Sequence, residues 1–399
     1  MPPGRLKDNL LGILATTVVH PAGHGIADLW AAVSSGRGAL QANPLSWCEL
    51  PCWVGQVPGV DDAALPPRLA DWDCRNNRLA WLALQDAAFR ASIASAIRRH
   101  GAHRVGLVLG TSTSGIRSTE LAYQSRQEKG AWPTGFDYRK MHSVDAASRF
   151  CAEVLGLQGP MATLSTACSS SAKAFLTAQR WIDAGVIDAA VVGGVDSLCL
   201  STLHGFDSLQ LLSGQACRPF DAQRNGISIG EAGGFVLLAR EPAPVMLSGG
   251  GESSDAWHMS TPHPQGEGAQ AAMRAALADA SLAPGDIGYV NAHGTATPAN
   301  DRSESAALSA VFGPRGVPVS STKGVTGHTL GAAGILEAIV TAQALVRQAL
   351  PVNANCVTPD PELEVDVVTA PRAAKLQHAL TNSFGFGGSN CALVFSLGR

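Results

Sequence analysis

Short apolar runs, most of them closed by glycine or small polar residues, recur along the whole chain. The first covers residues 10–19. Residues 105–109 run into Gly110-Thr111-Ser112-Thr113-Ser114-Gly115, and residues 161–164 follow a Gly159-Pro160 breaker. Residues 189–192 lead into Gly193-Gly194, 244–247 into Gly249-Gly250-Gly251, and 289–292 into His293-Gly294. Residues 318–321 follow, and then 380–384 before Gly385-Phe386-Gly387-Gly388. Unbroken apolar runs of this length predict strands buried on both faces and ended by small-residue turns. Between them apolar positions return at helical spacing. Leu29, Trp30 and Val33 mark a helix over 26–40 with Gly36 at its end, and Leu79, Leu82, Ala83, Ala87, Phe89 and Ile93 mark one over 75–99. Residues 172–182 (stopped by Gly185), 269–280 and 331–347 complete the set.

Strands alternating with helices imply an α/β protein of layered sheets covered by helices, with sites at the carboxyl ends of the strands. Residues 41–73, rich in proline, tryptophan and turn residues, predict an ordered, irregular excursion. Arg240-Glu241-Pro242-Ala243-Pro244 is the candidate boundary between two parts of the chain. No internal repeat is visible in the sequence.

Composition narrows the class. The chain has 399 residues, 46% of them hydrophobic and only 15% charged, with 43 glycines, which is the balance of a tightly packed globular protein of two to three domains. A formal net charge of −3 gives no basic face for nucleic acid. Nine cysteines without framework spacing point to a reducing compartment, the cytoplasm. Lys7 followed by the apolar run 10–19 has the outline of a signal peptide. His20-Pro21-Ala22-Gly23-His24 supplies no small-residue cleavage site, however, and the run is too short to span a bilayer. The expectation is a first buried strand and no membrane span.

The chemistry gathers on Ser165-Thr166-Ala167-Cys168-Ser169-Ser170-Ser171-Ala172-Lys173. Cys168 falls at a strand-to-helix turn, where free backbone N–H groups and the helix dipole favour a thiolate. Cysteines so placed have depressed pKa values and raised reactivity. A small buried cysteine filling a gap is the alternative, since free cysteines are often buried; the turn and its hydroxyls favour the nucleophile. Among eleven histidines, His293 and His328 each open a Gly/Thr-rich turn, and two imidazole N–H donors aimed at one carbonyl would stabilise enolate charge. Other motifs fail. Ser-x-x-Lys occurs twice, at Ser170–Lys173 and Ser320–Lys323, without its partner motifs. His20 and His24 have zincin spacing but no intervening glutamate, and Cys48 with Cys52 lacks the second pair that a structural zinc site needs. No phosphate-binding loop is present.

Taken together, Ser165-Thr166-Ala167-Cys168-Ser169-Ser170, His293-Gly294-Thr295-x-Thr297, Lys323 five residues before His328, Glu337, and Gly385-Phe386-Gly387-Gly388 resemble a β-ketoacyl-acyl carrier protein synthase over nearly the entire chain. The resemblance implies the thiolase-like five-layer αβαβα fold made of two similar halves, 1–242 carrying the cysteine and 243–399 carrying the histidines. A second histidine at 328 fits the elongating Cys-His-His type rather than the initiating one, and Cys391-Ala392-Leu393 lacks the late Cys-x-Gly of degradative thiolases. It further implies that Cys168 takes the acyl chain as a thioester while His293 and His328 promote decarboxylation of a malonyl thioester. Lys323 near Glu337 would order the site, with Asp301 in support. The N–H groups of Cys168 and Phe386 would form an oxyanion hole, Phe386 also gating an acyl pocket bordered by Thr113 and Phe206. No cofactor is implied beyond the phosphopantetheine of an acyl carrier protein, which Arg68, Arg75 and Arg78 are candidates to dock. The oligomer would be a homodimer or a heterodimer with a chain-length-factor paralogue.

Two departures bear on substrate and scaffold. Asn225 stands where the Phe220-Asp221-x-x-Arg224-Asn225-Gly226 motif usually has Asp, and Thr111 to Ser114 replace a glycine-rich loop bordering the acyl pocket. That loop, with Gly249-Gly250-Gly251-Glu252-Ser253-Ser254-Asp255-Ala256, is similar to the ketosynthases of bacterial aryl polyene pathways. The competing readings are a saturated-chain fatty-acid synthase and a non-catalytic chain-length-factor partner; the presence of Cys168, His293, Lys323 and His328 weighs against the second.

Overall fold

The computed structural model describes residues 10–398, so Lys7 lies outside the described residues. The main sheet is built from Leu11–His20 (β1), Val105–Gly110 (β2), Met161–Leu164 (β3), Ala189–Asp196 (β4), Ala232–Ala239 (β5), Val245–Ser254 (β6), Ile287–Asn291 (β7), Pro318–Ser320 (β8), Asp366–Val367 (β9), His378–Gly385 (β10) and Ser389–Leu397 (β11). Its strand order is β9-β8-β7-β10-β11-β6-β1-β5-β4-β2-β3. The two sides meet through a short antiparallel contact, Leu11↔Leu247 and Gly12↔Met246. Outward from it the order is β1-β5-β4-β2-β3 on one side and β6-β11-β10-β7-β8 on the other. On both sides the first two pairings are antiparallel and the last two parallel.

Helices Ser170–Asp183 (α1) and Ala333–Arg347 (α2) fill the space between the sheets, with Phe175 and Leu176 of α1 and Ile335 and Ile339 of α2 sharing a core with Val236 and Phe395. Leu79, Phe89 and Phe150 cover the outer face of β2, β4 and β5, while Ala272, Met273 and Leu308 cover that of β7, β10 and β11. The result is helix, sheet, helix pair, sheet, helix. The segment Leu330–Arg347 is apolar and long enough to cross a bilayer, but 83% of it is buried inside the fold, as a core helix should be.

Three expectations change. The helix over 75–99 is two, Arg75–Ala83 and Ala87–His100, because the Asp86 side chain accepts the Phe89 N–H at 2.7 Å and starts a new helix. The helix from residue 26 stops at Ser35, where Gly36 takes a left-handed conformation, rather than reaching residue 40. The glycines at 193–194 and 249–251 do not end strands. β4 and β6 run through them to Asp196 and Ser254, and the missing side chains let helices pack closely. A Cβ on Gly194 would lie 2.7 Å from Ser171 Cβ, and one on Gly251 would lie 2.1 Å from the Ala272 carbonyl oxygen. β5 and β11 were not foreseen; they are the antiparallel partners that complete each side.

Candidate active site

Cys168 sits in a single 3-10 turn, Ala167–Ser169, between β3 and α1. The turn begins with Ala167 at φ +52°, a left-handed conformation that costs about 1–2 kcal/mol for a residue with a Cβ. The hydroxyls of the motif hold it. Ser170 Oγ accepts the Thr166 N–H at 2.9 Å and donates to the Ala167 carbonyl, Ser169 Oγ donates to the Thr166 carbonyl, and Ser171 Oγ accepts the Ile335 N–H from α2. The same device recurs later in the chain. Leu330 at φ +54° opens the 3-10 turn Leu330–Ala332, which runs into α2, and His328 lies two residues ahead of it. The two turns place Cys168 and His328 face to face, Sγ to Nε2 at 2.8 Å.

The surrounding bonds set the tautomers. Leu330 N–H points at His328 Nδ1 at 3.3 Å, so Nδ1 accepts and Nε2 carries the proton toward the sulfur. Lys323 Nζ approaches His293 Nδ1 at 3.4 Å and also donates to the His293 carbonyl and to Glu337 Oε1, which together occupy its three protons. His293 therefore also presents Nε2–H to the site. The two rings stand edge to face with centroids 5.3 Å apart. Burial, reinforced by the Lys323 charge, holds both imidazoles well below their usual pKa, so both are neutral donors at pH 7. The same tautomers bear on metal binding. Donor atoms of Cys168, His293 and His328 lie within 4.8 Å of one another, but both nitrogens facing the centre carry protons and the Lys323 ammonium is adjacent, a poor setting for a cation.

The sulfur does not match the depressed pKa expected from its turn. Burial pushes the Cys168 thiol up to about 12, outweighing Lys323 and the Phe386 N–H, which favour the thiolate. The resting group is a thiol. Its partners, the Phe386 N–H and the His328 Nε2–H, are donors that stabilise negative charge on sulfur once a proton leaves.

A cleft opens onto these groups, lined among others by Phe206, Thr295, Thr297, Phe384 and Phe386. Phe206 and Phe386 meet at 5.5 Å between ring centroids, and Phe386 remains 36% exposed. Glu337 is buried, and burial raises it to about 7 against the pull of Lys323. Asp301 accepts the Phe220 and Ala296 N–H groups, tying the loop after His293 to the 220 segment. That segment is scaffold: Asp221 accepts the Val357 and Thr358 N–H groups, Arg224 pairs with Asp360, and Asn225 accepts the Ser213 hydroxyl.

Two kinds of expected site residue fall elsewhere. The Arg75 side chain is only 9% exposed, and its guanidinium binds both oxygens of Glu231 as well as Asp61, which leaves it little reach toward a carrier protein. Arg78 is bound to Asp73, and Arg68 alone of the three is exposed without such a pairing among the described contacts. Thr113 does not line the cleft. It is buried, with its hydroxyl donating to Asp196 at 2.8 Å. Sequence reasoning missed Glu304, which accepts the His293 and Gly294 N–H groups at 2.9 and 2.7 Å and fixes the histidine loop. Its signal was a carboxylate on the helix that opens at Pro298, just after His293-Gly294-Thr295-x-Thr297.

A buried thiol faces two neutral imidazole donors beside the cleft, an arrangement that can carry cysteine-based acyl transfer. Residues 75–243 match the β-ketoacyl synthase N-terminal domain and residues 245–357 the C-terminal domain. The chain belongs to the β-ketoacyl synthase family and is an acyltransferase with the thiolase-like fold. It is 35% identical over 318 residues, 75% of this chain and 78% of the relative, to 3-oxoacyl-[acyl-carrier-protein] synthase 2 of Staphylococcus aureus. It is 34% identical over 391 residues, 94% and 95% of the two chains, to nodulation protein E of Rhizobium meliloti (strain 1021). Among solved structures, a ketosynthase (ApeO) in complex with its chain length factor (ApeC) from Xenorhabdus doucetiae superposes with a TM-score of 0.89 at 38% identity, covering 100% of this chain and 99% of the other.

Proposed function

We propose that this chain is an elongating 3-oxoacyl-[acyl carrier protein] synthase in which Cys168 carries the growing chain. The observation behind this reading is the 2.8 Å approach of Cys168 Sγ to His328 Nε2, with His293 completing the group. In the first half-reaction the sulfur attacks the thioester carbonyl of an acyl chain brought on the phosphopantetheine arm of a carrier protein. The thiol proton goes to the departing pantetheine sulfur, and the Cys168 and Phe386 N–H groups receive the transient oxyanion. In the second, a malonyl thioester binds with its carbonyl oxygen on the two Nε2–H donors. Its C–C bond breaks to release carbon dioxide, and the resulting enolate carbon attacks the Cys168 thioester. The cysteine thiolate leaves and a 3-oxoacyl thioester two carbons longer remains on the carrier. Lys323 and Glu337 hold His293 in the donor tautomer throughout.

The division into halves 1–242 and 243–399 is supported by the repeated strand order on the two sides of the β1–β6 contact. The partner is an acyl carrier protein, with Arg68 as a docking residue, and the oligomer is a homodimer or a heterodimer with a chain-length-factor paralogue. Likeness to ApeO, which was solved with its chain length factor, supports the heterodimer. The resemblance of residues 110–115 and 249–256 to aryl polyene ketosynthases supports a conjugated, polyenoyl substrate. All nine cysteines are free and buried, in keeping with a cytoplasmic site of action.

Incubation with matched dienoyl and saturated carrier thioesters, followed by intact-protein mass spectrometry and a condensation assay, tests this. Wild-type protein should gain one acyl mass and Cys168→Ala none. Elongation of the dienoyl chain should exceed that of the saturated one by about 10-fold in kcat/KM, the scale a pocket difference can supply. Acyl mass on Cys168→Ala protein would refute the nucleophile, and a saturated chain used equally well would return the enzyme to ordinary fatty-acid elongation.

A further inference from the structure

The carboxylate of Asp196, at the end of β4, is fully buried. Its donors come from one loop: Thr111 Oγ1 at 2.8 Å, Ser112 N–H at 2.8 Å, Thr113 N–H at 2.7 Å and Thr113 Oγ1 at 2.8 Å on Oδ1, with the Ser112 N–H also reaching Oδ2 at 3.0 Å. Ser114 N–H to Thr111 Oγ1 and Ser197 N–H to Thr113 Oγ1 close the arrangement. Burying a carboxylate without a cation is costly, and four charge-assisted hydrogen bonds to a single loop offset that cost only while the loop keeps one conformation.

The loop so held touches both halves of the reaction centre. On one side Ser112 Oγ donates to the carbonyl of Ala167, the strained residue just before Cys168, at 3.4 Å. On the other side it meets Gly331. The left-handed residue, 3-10 turn and helix at Leu330–Ala333 match those at 167–170, so Gly331 occupies in the second half the place that Cys168 has in the first. A Cβ there would lie 2.7 Å from Asp196 Oδ2 and 2.9 Å from Ser112 N. The turn that carries His328 therefore rests directly on the Asp196–loop assembly.

We propose that Asp196, acting through the Thr111–Ser114 loop, is a positioning residue that sets the approach of Cys168 to His328 and so the rate of acyl loading. This rests on Cys168 being the acylated residue. The threonines that stand in place of glycines are then the donors a buried aspartate requires, rather than lining for the acyl chain. The Asp196 charge also acts on the sulfur itself, opposing formation of the thiolate.

The test measures single-turnover acyl loading and iodoacetamide alkylation of Cys168 in Asp196→Asn, Thr111→Val and Thr113→Val proteins, with Thr113→Ser beside them. Misplacement of reacting groups by a fraction of an ångström costs roughly 10–100-fold. Each valine variant should load at least about 10-fold more slowly at saturating substrate with KM for the carrier thioester unchanged. Thr113→Ser, which restores the hydroxyl, should recover at least half of that loss on a logarithmic scale. Asp196→Asn should also load slowly and should move the pH profile of Cys168 alkylation to lower pH, because one negative charge is gone while Lys323 and Glu337 remain. Wild-type loading by valine variants, or a serine variant as slow as the valine one, overturns the proposal. So does an Asp196→Asn alkylation profile identical to the wild type. If Asp196→Asn does not fold, the threonine variants decide the matter alone. Absence of loading in the wild type would instead condemn the ketosynthase reading.

Discussion

Replacing Glu337 by glutamine isolates the charge that keeps His293 a donor. Lys323 and Glu337 are each 1% exposed, and the lysine spends its three protons on Glu337, on the His293 carbonyl and on His293 Nδ1. Protonation of Glu337 weakens one acceptor and adds a competing donor, which frees the ammonium to pull away from the imidazole. With a pKa of about 7, roughly one tenth of the enzyme has the ionised glutamate at pH 6 and nine tenths at pH 8, so condensation should rise about 10-fold over that interval. The imidazoles titrate well below their usual range and do not supply this inflection. In Glu337→Gln the rise should vanish, leaving a flat, low profile about 10²–10³-fold below the wild-type plateau, the usual effect of one lost oxyanion donor.

Stability should run the other way. Because burial raises this carboxyl above its ordinary value of 4.5, the folded protein binds the proton more tightly than the unfolded chain. That contribution is present at acid pH and lost as pH rises through about 7. Removing one partner of a buried pair costs about 3–5 kcal/mol, so urea melts at pH 8 must accompany the kinetics to show that the variant is folded. Steady-state malonyl decarboxylation and condensation from pH 5.5 to 9 are the assays. A Glu337→Gln enzyme that keeps the inflection near 7 refutes the reasoning.

Two further expectations follow from the geometry. His328→Ala should still load some acyl chain on Cys168, more slowly because the sulfur loses an N–H donor, yet lose malonyl decarboxylation by ~10²–10³, and carbon dioxide release at the wild-type rate would remove His328 from the donor pair. Gly251→Ala drives a Cβ into the Ala272 carbonyl and should destabilise the fold by ~1–3 kcal/mol in denaturant melts while leaving the position of Cys168 unaltered; an unchanged midpoint would mean that the helix Glu267–Ala280 can shift freely off β6.

Much was written locally. The apolar runs gave most of the buried strands, because a strand covered on both faces needs unbroken apolar residues whatever lies beside it. Cys168, His293 and His328 were legible because each sits in a short motif whose residue types are demanded by its own turn: hydroxyls to hold Ala167, and Gly and Thr around the histidines. Lys323 and Glu337 came only with the family resemblance, Glu337 lying inside α2 with no local signal of its own. Other properties belong only to the assembled molecule. The duplicated strand order leaves no repeat in the sequence, since sheet pairing depends on burial pattern and not on identity. Whether a run of glycines ends a strand or admits a helix depends on what packs above it, as at Gly194 and Gly251. Polar side chains whose partners lie far along the chain gave the least away. Arg75 and Thr113 looked free in the sequence, and only the fold brought Glu231 and Asp196 within reach of them. The pKa of Cys168 shows the same limit, because a helix start is a local feature whereas desolvation depends on everything that closes over the sulfur.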